Sequence, residues 1–97
     1  MTLTVNIGHL INSDPYIHGG VPLIAGTGVT VRRIAIWHNL GYSIEEIARE
    51  IGFLSIAQVY AALTYYYANT EDIDADIAAD EAEYDRLLAD SRAKKSL

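Results

Sequence analysis

The chain contains no cysteine. Disulfide frameworks, zinc ribbons and thiol catalysis are therefore excluded at the outset. It has no apolar run of 18 residues, so no membrane span is expected. The opening stretch MTLTVNIGHL lacks a basic n-region, so no signal peptide is expected and a cytoplasmic protein is the default reading. Basic residues are scarce: seven Lys and Arg stand against thirteen Asp and Glu, a net charge of −6. A protein that held nucleic acid as a monomer through phosphate neutralisation alone would be basic. His9, His18 and His38 are scattered without a His-x-x-x-His pair, and no companion nucleophile of known geometry accompanies them. Neither a metal site, a cofactor nor catalysis is expected.

What is present is one small domain's worth of chain. Its 97 residues are 51% hydrophobic and 21% charged, the composition of a folded protein. A chain of this length buries only roughly 60–65% of its unfolded surface, which favours oligomers over deep enzyme cavities. The charge is uneven. Residues 1–70 carry Arg32, Arg33 and Arg49 against Asp14, Glu45, Glu46 and Glu50, a net of −1. Residues 71–97 carry nine acids and four bases, a net of −5. An acidic tail of this kind suits a basic protein partner or simple solvation.

Patterning divides the chain further. A strand is predicted near residues 5–11, followed by a turn-rich loop. Two β-rich runs flank Gly26-Thr27-Gly28, whose glycines can supply a tight reversal, so a hairpin or corner is predicted over 21–31. A phosphate-binding loop is not expected there, because no lysine follows and the glycine spacing is that of neither the P-loop nor the dinucleotide motif. The period then changes to 3.6. A first helix is predicted over about Val31–Leu40, with Ile34, Trp37 and Leu40 or His38 inward, and Gly41 as its stop. Ser43-x-x-Glu46 and Ser55-x-x-Gln58 are capping boxes that open two more helices. Ile44, Ile47, Ala48 and Ile51 face inward on the first of these. Ile56, Val59, Ala62, Leu63 and Tyr66 do so on the second. Thr70 is a candidate N-cap for a fourth helix, with acids in its first turn and cations near its end.

The two capping-box helices, separated by Gly52, have the spacing of a helix-turn-helix. The predicted fold is thus mainly α: a three-helix helix-turn-helix core, homeodomain- or winged-helix-like, with a short N-terminal β element and a C-terminal amphipathic helix. Residues 1–69 form the helix-turn-helix domain with its β-hairpin, and residues 70–97 form the acidic helix. The would-be recognition helix SIAQVYAALTYYY has no Arg or Lys, leaving Gln58 and Thr64 as its base-reading groups. Arg32, Arg33 and Arg49 are either phosphate contacts on a dimer's two-fold surface or helix residues paired with Glu45 and Glu46. Tyr65, Tyr66 and Tyr67 cannot all be buried on one helix, and a dimer interface is expected there. The narrow stripe Ile73, Ile77, Tyr84 and Leu87 suits contact with a partner.

Taken together, Gly20-x-Pro22-x-Ile24-x-Gly26-Thr27-x-Val29-x-Val31, Gly41-x-Ser43-x-Glu45-Glu46-Ile47, Leu54 and Val59-x-Ala61-Ala62-Leu63-x-Tyr65-Tyr66 resemble the bacterial family known as domain of unknown function 433. Asp14-Pro15 fits as well, and the resemblance spans roughly residues 9–74. It implies a dimeric, non-enzymatic antitoxin of a toxin–antitoxin pair, neutralising a PIN-like ribonuclease toxin and binding its own operator DNA. A DNA-binding regulator without a toxin, or a plain homodimeric interaction module, are the alternatives. In one place the chain departs from the pattern: the family usually carries Arg directly after Gly-Thr, where this chain has Gly28.

Overall fold

The computed structural model describes residues 7–13, 15–16 and 18–95. Strands β1 (Ile11–Ser13) and β2 (Pro22–Ile24) are followed by helices α1 (Val31–Asn39), α2 (Ile44–Ile51), α3 (Ile56–Ala68) and α4 (Thr70–Lys95). The strands pair antiparallel, with Ile11 opposite Ile24 and Ser13 opposite Pro22. The predicted strand is therefore displaced toward the C-terminus. Ile7–His9 forms a 3-10 turn, and residues 5 and 6 lie outside the described residues.

The corner over 24–29 forms as the turn chemistry predicts. Ile24 N–H donates to Val29 O at 2.9 Å, and Leu23 bridges Thr30. The Thr27 hydroxyl donates to Ile24 O at 2.8 Å and accepts from Val29 N–H at 3.0 Å. Gly26 takes φ +78, a conformation that a side chain would strain. Gly28, expected to share this role, is not among the positive-φ glycines. A Cβ built there meets no heavy atom within 4 Å.

Each helix starts as its sequence dictates. The Thr30 side chain accepts from Arg33 N–H at 3.0 Å and caps α1. Both capping boxes are complete. Ser43 and Glu46 exchange bonds of 3.1 Å each, and Ser55 and Gln58 exchange bonds of 2.7 and 3.1 Å. Gly52 ends α2 at φ +87, in the left-handed region where glycine carries no steric penalty. Thr70 is not an N-cap; its hydroxyl bonds back to the carbonyls of Tyr66 and Tyr67, joining the end of α3 to the start of α4.

Capping has a measurable consequence. The Ser43 backbone N–H, then its hydroxyl, hold the Glu46 carboxyl below the usual range, because both bonds favour the charged form. A depressed carboxylate stabilises the fold above its unfolded value, and that contribution is lost as pH falls through the lower folded value. Ser43→Ala should cost about 1 kcal/mol. Urea unfolding of the two chains at neutral pH and in acid should show the gap narrowing in acid. A gap independent of pH would show that the Ser43 hydroxyl takes no part in holding the Glu46 carboxylate.

The core lies where α1, α2 and α3 meet over β2. Leu23, Ile24, Val31, Ile34, Ile47 and Val59 are its fully buried large side chains. Each contributes about 1.5–3 kcal/mol relative to exposure. The core also takes in residues from the start of α4. Ile73 of α4 is 4% exposed in the same core, and Ile77 packs against it. Two corrections concern expected inward residues. Leu40 and Ile56 face solvent, at 72% and 42% exposure.

Beyond Asp80, α4 leaves the body. A 26-residue helix is about 39 Å long. The molecule accordingly extends 69 Å along its longest axis and 28 Å across.

Candidate functional site

Three surfaces gather the residues singled out by the sequence: the start of α1, the outer face of α3, and the free part of α4.

At the start of α1, Arg32 is engaged within the chain. Its Nη1 lies 3.0 Å from Asp80 Oδ2 of α4, across an open cleft of about 390 Å³ lined by Gly28, Thr30, Arg33, Ile36 and Trp37. The partner is thus Asp80, not Glu45 or Glu46. This half-exposed pair contributes at most about 1 kcal/mol. It nonetheless links α4 to the start of α1 and neutralises one of the body's three cations. Arg33 and Arg49 are exposed.

Along α3, both expected base-reading groups are bound into the helix itself. The Gln58 Oε1 accepts from Ser55 N–H in the capping box, and the Thr64 hydroxyl donates to Tyr60 O at 2.9 Å.

The three consecutive tyrosines have three different surroundings. Tyr65 is half-buried against the core. Tyr66, expected at a dimer interface, is a core residue at 4% exposure. Its hydroxyl accepts from Asn39 Nδ2 of α1 at 3.1 Å and donates to Asp74 Oδ1 of α4 at 2.7 Å. One phenol therefore joins three helices. The Asn39 bond pulls its pKa down, but the bond to Asp74, burial and the Asp74 charge outweigh it, leaving the phenol above its ordinary value. Tyr66→Phe should cost about 1 kcal/mol, since both partners can turn to water. Amide exchange at the α3–α4 junction would show it as faster opening, and unchanged protection would rule out the clamp. Tyr67 is 62% exposed, with its hydroxyl bonded to His38 Nε2.

On α4, the expected partner stripe divides in two. Ile73 and Ile77 belong to the body, as described above. Tyr84 and Leu87 are exposed at 63% and 54% on the free part of the helix. The charge pattern around them is more ordered than the net value suggested. From Glu71 to Asp85 the sequence holds eight carboxylates and no Lys or Arg, whereas Arg86, Arg92, Lys94 and Lys95 follow. Acids at the N-terminal side and cations at the C-terminal side both favour the helix dipole. Asp80, Glu81, Tyr84 and Asp85 line an open concavity of about 280 Å³ on this helix.

Asp74, Asp80 and Asn39 were not foreseen as partners. Their signal is weak because each reaches a helix far along the chain, and residue spacing within one helix says nothing about contacts between helices. Among the described residues, no three His, Asp or Glu side chains cluster as metal ligands. No helix of the described residues is long and apolar enough to cross a membrane.

The architecture is that of a small helix-turn-helix-like domain carrying a two-stranded β element and a projecting acidic helix. The chain belongs to the family described as protein of unknown function (DUF433), whose model matches residues 11–66. It is also similar to the crystal structure of a DUF433 member from Anabaena variabilis. The TM-score is 0.67 at 28% identity, over 72% of this chain and 69% of that one. No curated protein matches. The matched region ends at Tyr66, so it takes in the α1–α3 body and leaves the whole of α4 outside.

Proposed function

We propose that this protein is a non-enzymatic, antitoxin-like binding protein whose free α4 segment occupies the basic surface of a PIN-like ribonuclease. The carrying observation is that Glu81, Glu83 and Asp85 stand exposed on the free part of α4, beside the two exposed apolar side chains Tyr84 and Leu87.

A ribonuclease must attract a polyanion, so the surface around its active site is positive. A rigid acidic helix laid there competes with RNA for the same charges, and its apolar residues supply contact area that RNA lacks. The body anchors that helix through Ile73, Ile77 and the Arg32–Asp80 pair. The helix is thus formed before binding, which lowers the ordering cost of association. Operator binding draws no comparable support from α3, which has no cation.

The test is affinity purification of the tagged chain from its native cells, with mass spectrometry of what accompanies it. The expected result is a small basic protein in near-stoichiometric amount whose RNA cleavage the chain inhibits. Recovery of the chain alone, or of a partner whose cleavage is unaffected, would overturn the reading.

A further inference from the structure

The cleft at the start of α1 combines an apolar wall with a charged rim. Ile36 and Trp37 form the wall, and Arg33 and the Arg32–Asp80 pair form the rim. Trp37 is half-buried against the core, and its ring lies 4.7 Å from that of Tyr42 at a tilt of 49°, so the wall is held in place before any ligand arrives. The two arginines are not equivalent. Arg32 is turned to Asp80 at 3.0 Å, whereas Arg33 is exposed and forms no ion pair among the described residues. The backbone N–H of Arg33 is taken by the Thr30 hydroxyl, so the cleft offers a side-chain cation rather than a helix-terminal amide. At about 390 Å³ the cleft falls within the roughly 300–1,000 Å³ of small-ligand sites, which pair apolar and aromatic walls with a few placed polar groups.

We propose that this cleft binds a small carboxylate with an apolar body, the carboxylate on Arg33 and the body against Ile36 and Trp37. Two arguments select that chemistry. The first is charge. The rim sets two cations against one carboxylate, and the neighbouring concavity that shares Asp80 adds Glu81 and Asp85. One anionic group is neutralised there, whereas a chain of phosphates would run on into the α4 carboxylates. The second is the wall. Ile36 and the ring face of Trp37 gain little from a phosphodiester or a bare anion, but they remove the apolar body of an organic acid from water.

The site lies apart from α3, and it meets α4 only through Asp80. Asp80 stands outside the region that the family model matches, so part of the rim comes from the segment beyond the shared body. Arg32 and Arg33 thereby acquire separate roles, the first in holding α4 and the second in holding a ligand.

The experiment is a titration of the full chain with sodium phenylacetate at constant ionic strength, read by the fluorescence of Trp37, the chain's one tryptophan. Phenylacetamide, inorganic phosphate and inorganic polyphosphate are titrated alongside. Phenylacetate should give a saturable change in the millimolar range, as befits so small a ligand, and the neutral amide and phosphate should give little. Arg33→Gln should weaken phenylacetate binding at least ~5-fold, because a charge-assisted contact is lost. Asp80→Asn removes a competing carboxylate from the rim and should tighten binding at least ~3-fold. Both side chains are exposed, circular dichroism checks that the helices are kept, and the second variant stands if the first misfolds. No saturable change at Trp37, an equal response to phenylacetamide, or tighter binding of polyphosphate would overturn the proposal. So would an affinity unchanged by Arg33→Gln or lowered by Asp80→Asn.

Discussion

Replacing Tyr84 and Leu87 together by aspartate should weaken binding of the basic partner by at least ~100-fold, because Tyr84 is the kind of anchor that dominates an interface and Leu87 adds apolar contact beside it. The two side chains stand on the free part of α4, where they contribute little to the body's packing. The thermal midpoint should therefore stay within about 2 °C of the wild type, as is usual for surface substitutions. The added charge is negative and the proposed partner is basic, so a pure charge model would predict tighter binding. Weaker binding would show that the apolar contact decides affinity and the carboxylates supply steering. Calorimetric titration of the captured partner separates the two. Affinity unchanged or raised would mean that Tyr84 and Leu87 lie outside the interface.

Ile47→Ala should produce the largest loss of stability of any single truncation considered. Ile47 is fully buried at the centre of α2, within the same packed cluster as Ile34, Val59 and Ile24. Removing its outer carbons forfeits transfer free energy and leaves a cavity that three helices and a strand can only partly close. The cost should be about 3 kcal/mol, within the 2–5 typical of such sites. For a domain of this size that lowers the thermal midpoint by roughly 12–24 °C. Urea unfolding should show a lower midpoint at unchanged slope. A loss under about 1 kcal/mol would mean that the core does not centre on α2.

The helical body was legible because its signals are local. Ser43, Glu46, Ser55 and Gln58 act within four residues of one another, and Gly52 acts on its own backbone. Such features operate before any tertiary contact forms. The β element was placed less well. Its register depends on pairing across the loop between β1 and β2, and a three-residue strand has too short an alternation to locate from sequence.

The candidate surfaces were legible in composition but not in position. Ile73 and Tyr84 lie on one stripe of α4, and only the packing of α1 and α3 decides that the first is core and the second is surface. The same holds for Tyr66 and Tyr67, adjacent in sequence and turned by about 100°. Ile56 was misassigned because the 3.6-residue pattern of α3 is apolar nearly all round, so periodicity cannot say which side faces in.

The central claim is that the free segment of α4, and no other part of the chain, keeps RNA from the ribonuclease. The most direct measurement is cleavage of a labelled RNA by the captured partner, titrated with the full chain or its Tyr84→Asp, Leu87→Asp variant. The account predicts stoichiometric inhibition by the wild type. It predicts little inhibition by the variant at the same concentrations, although the variant remains folded. Equal inhibition by both chains would contradict it and would place the inhibitory surface on the α1–α3 body.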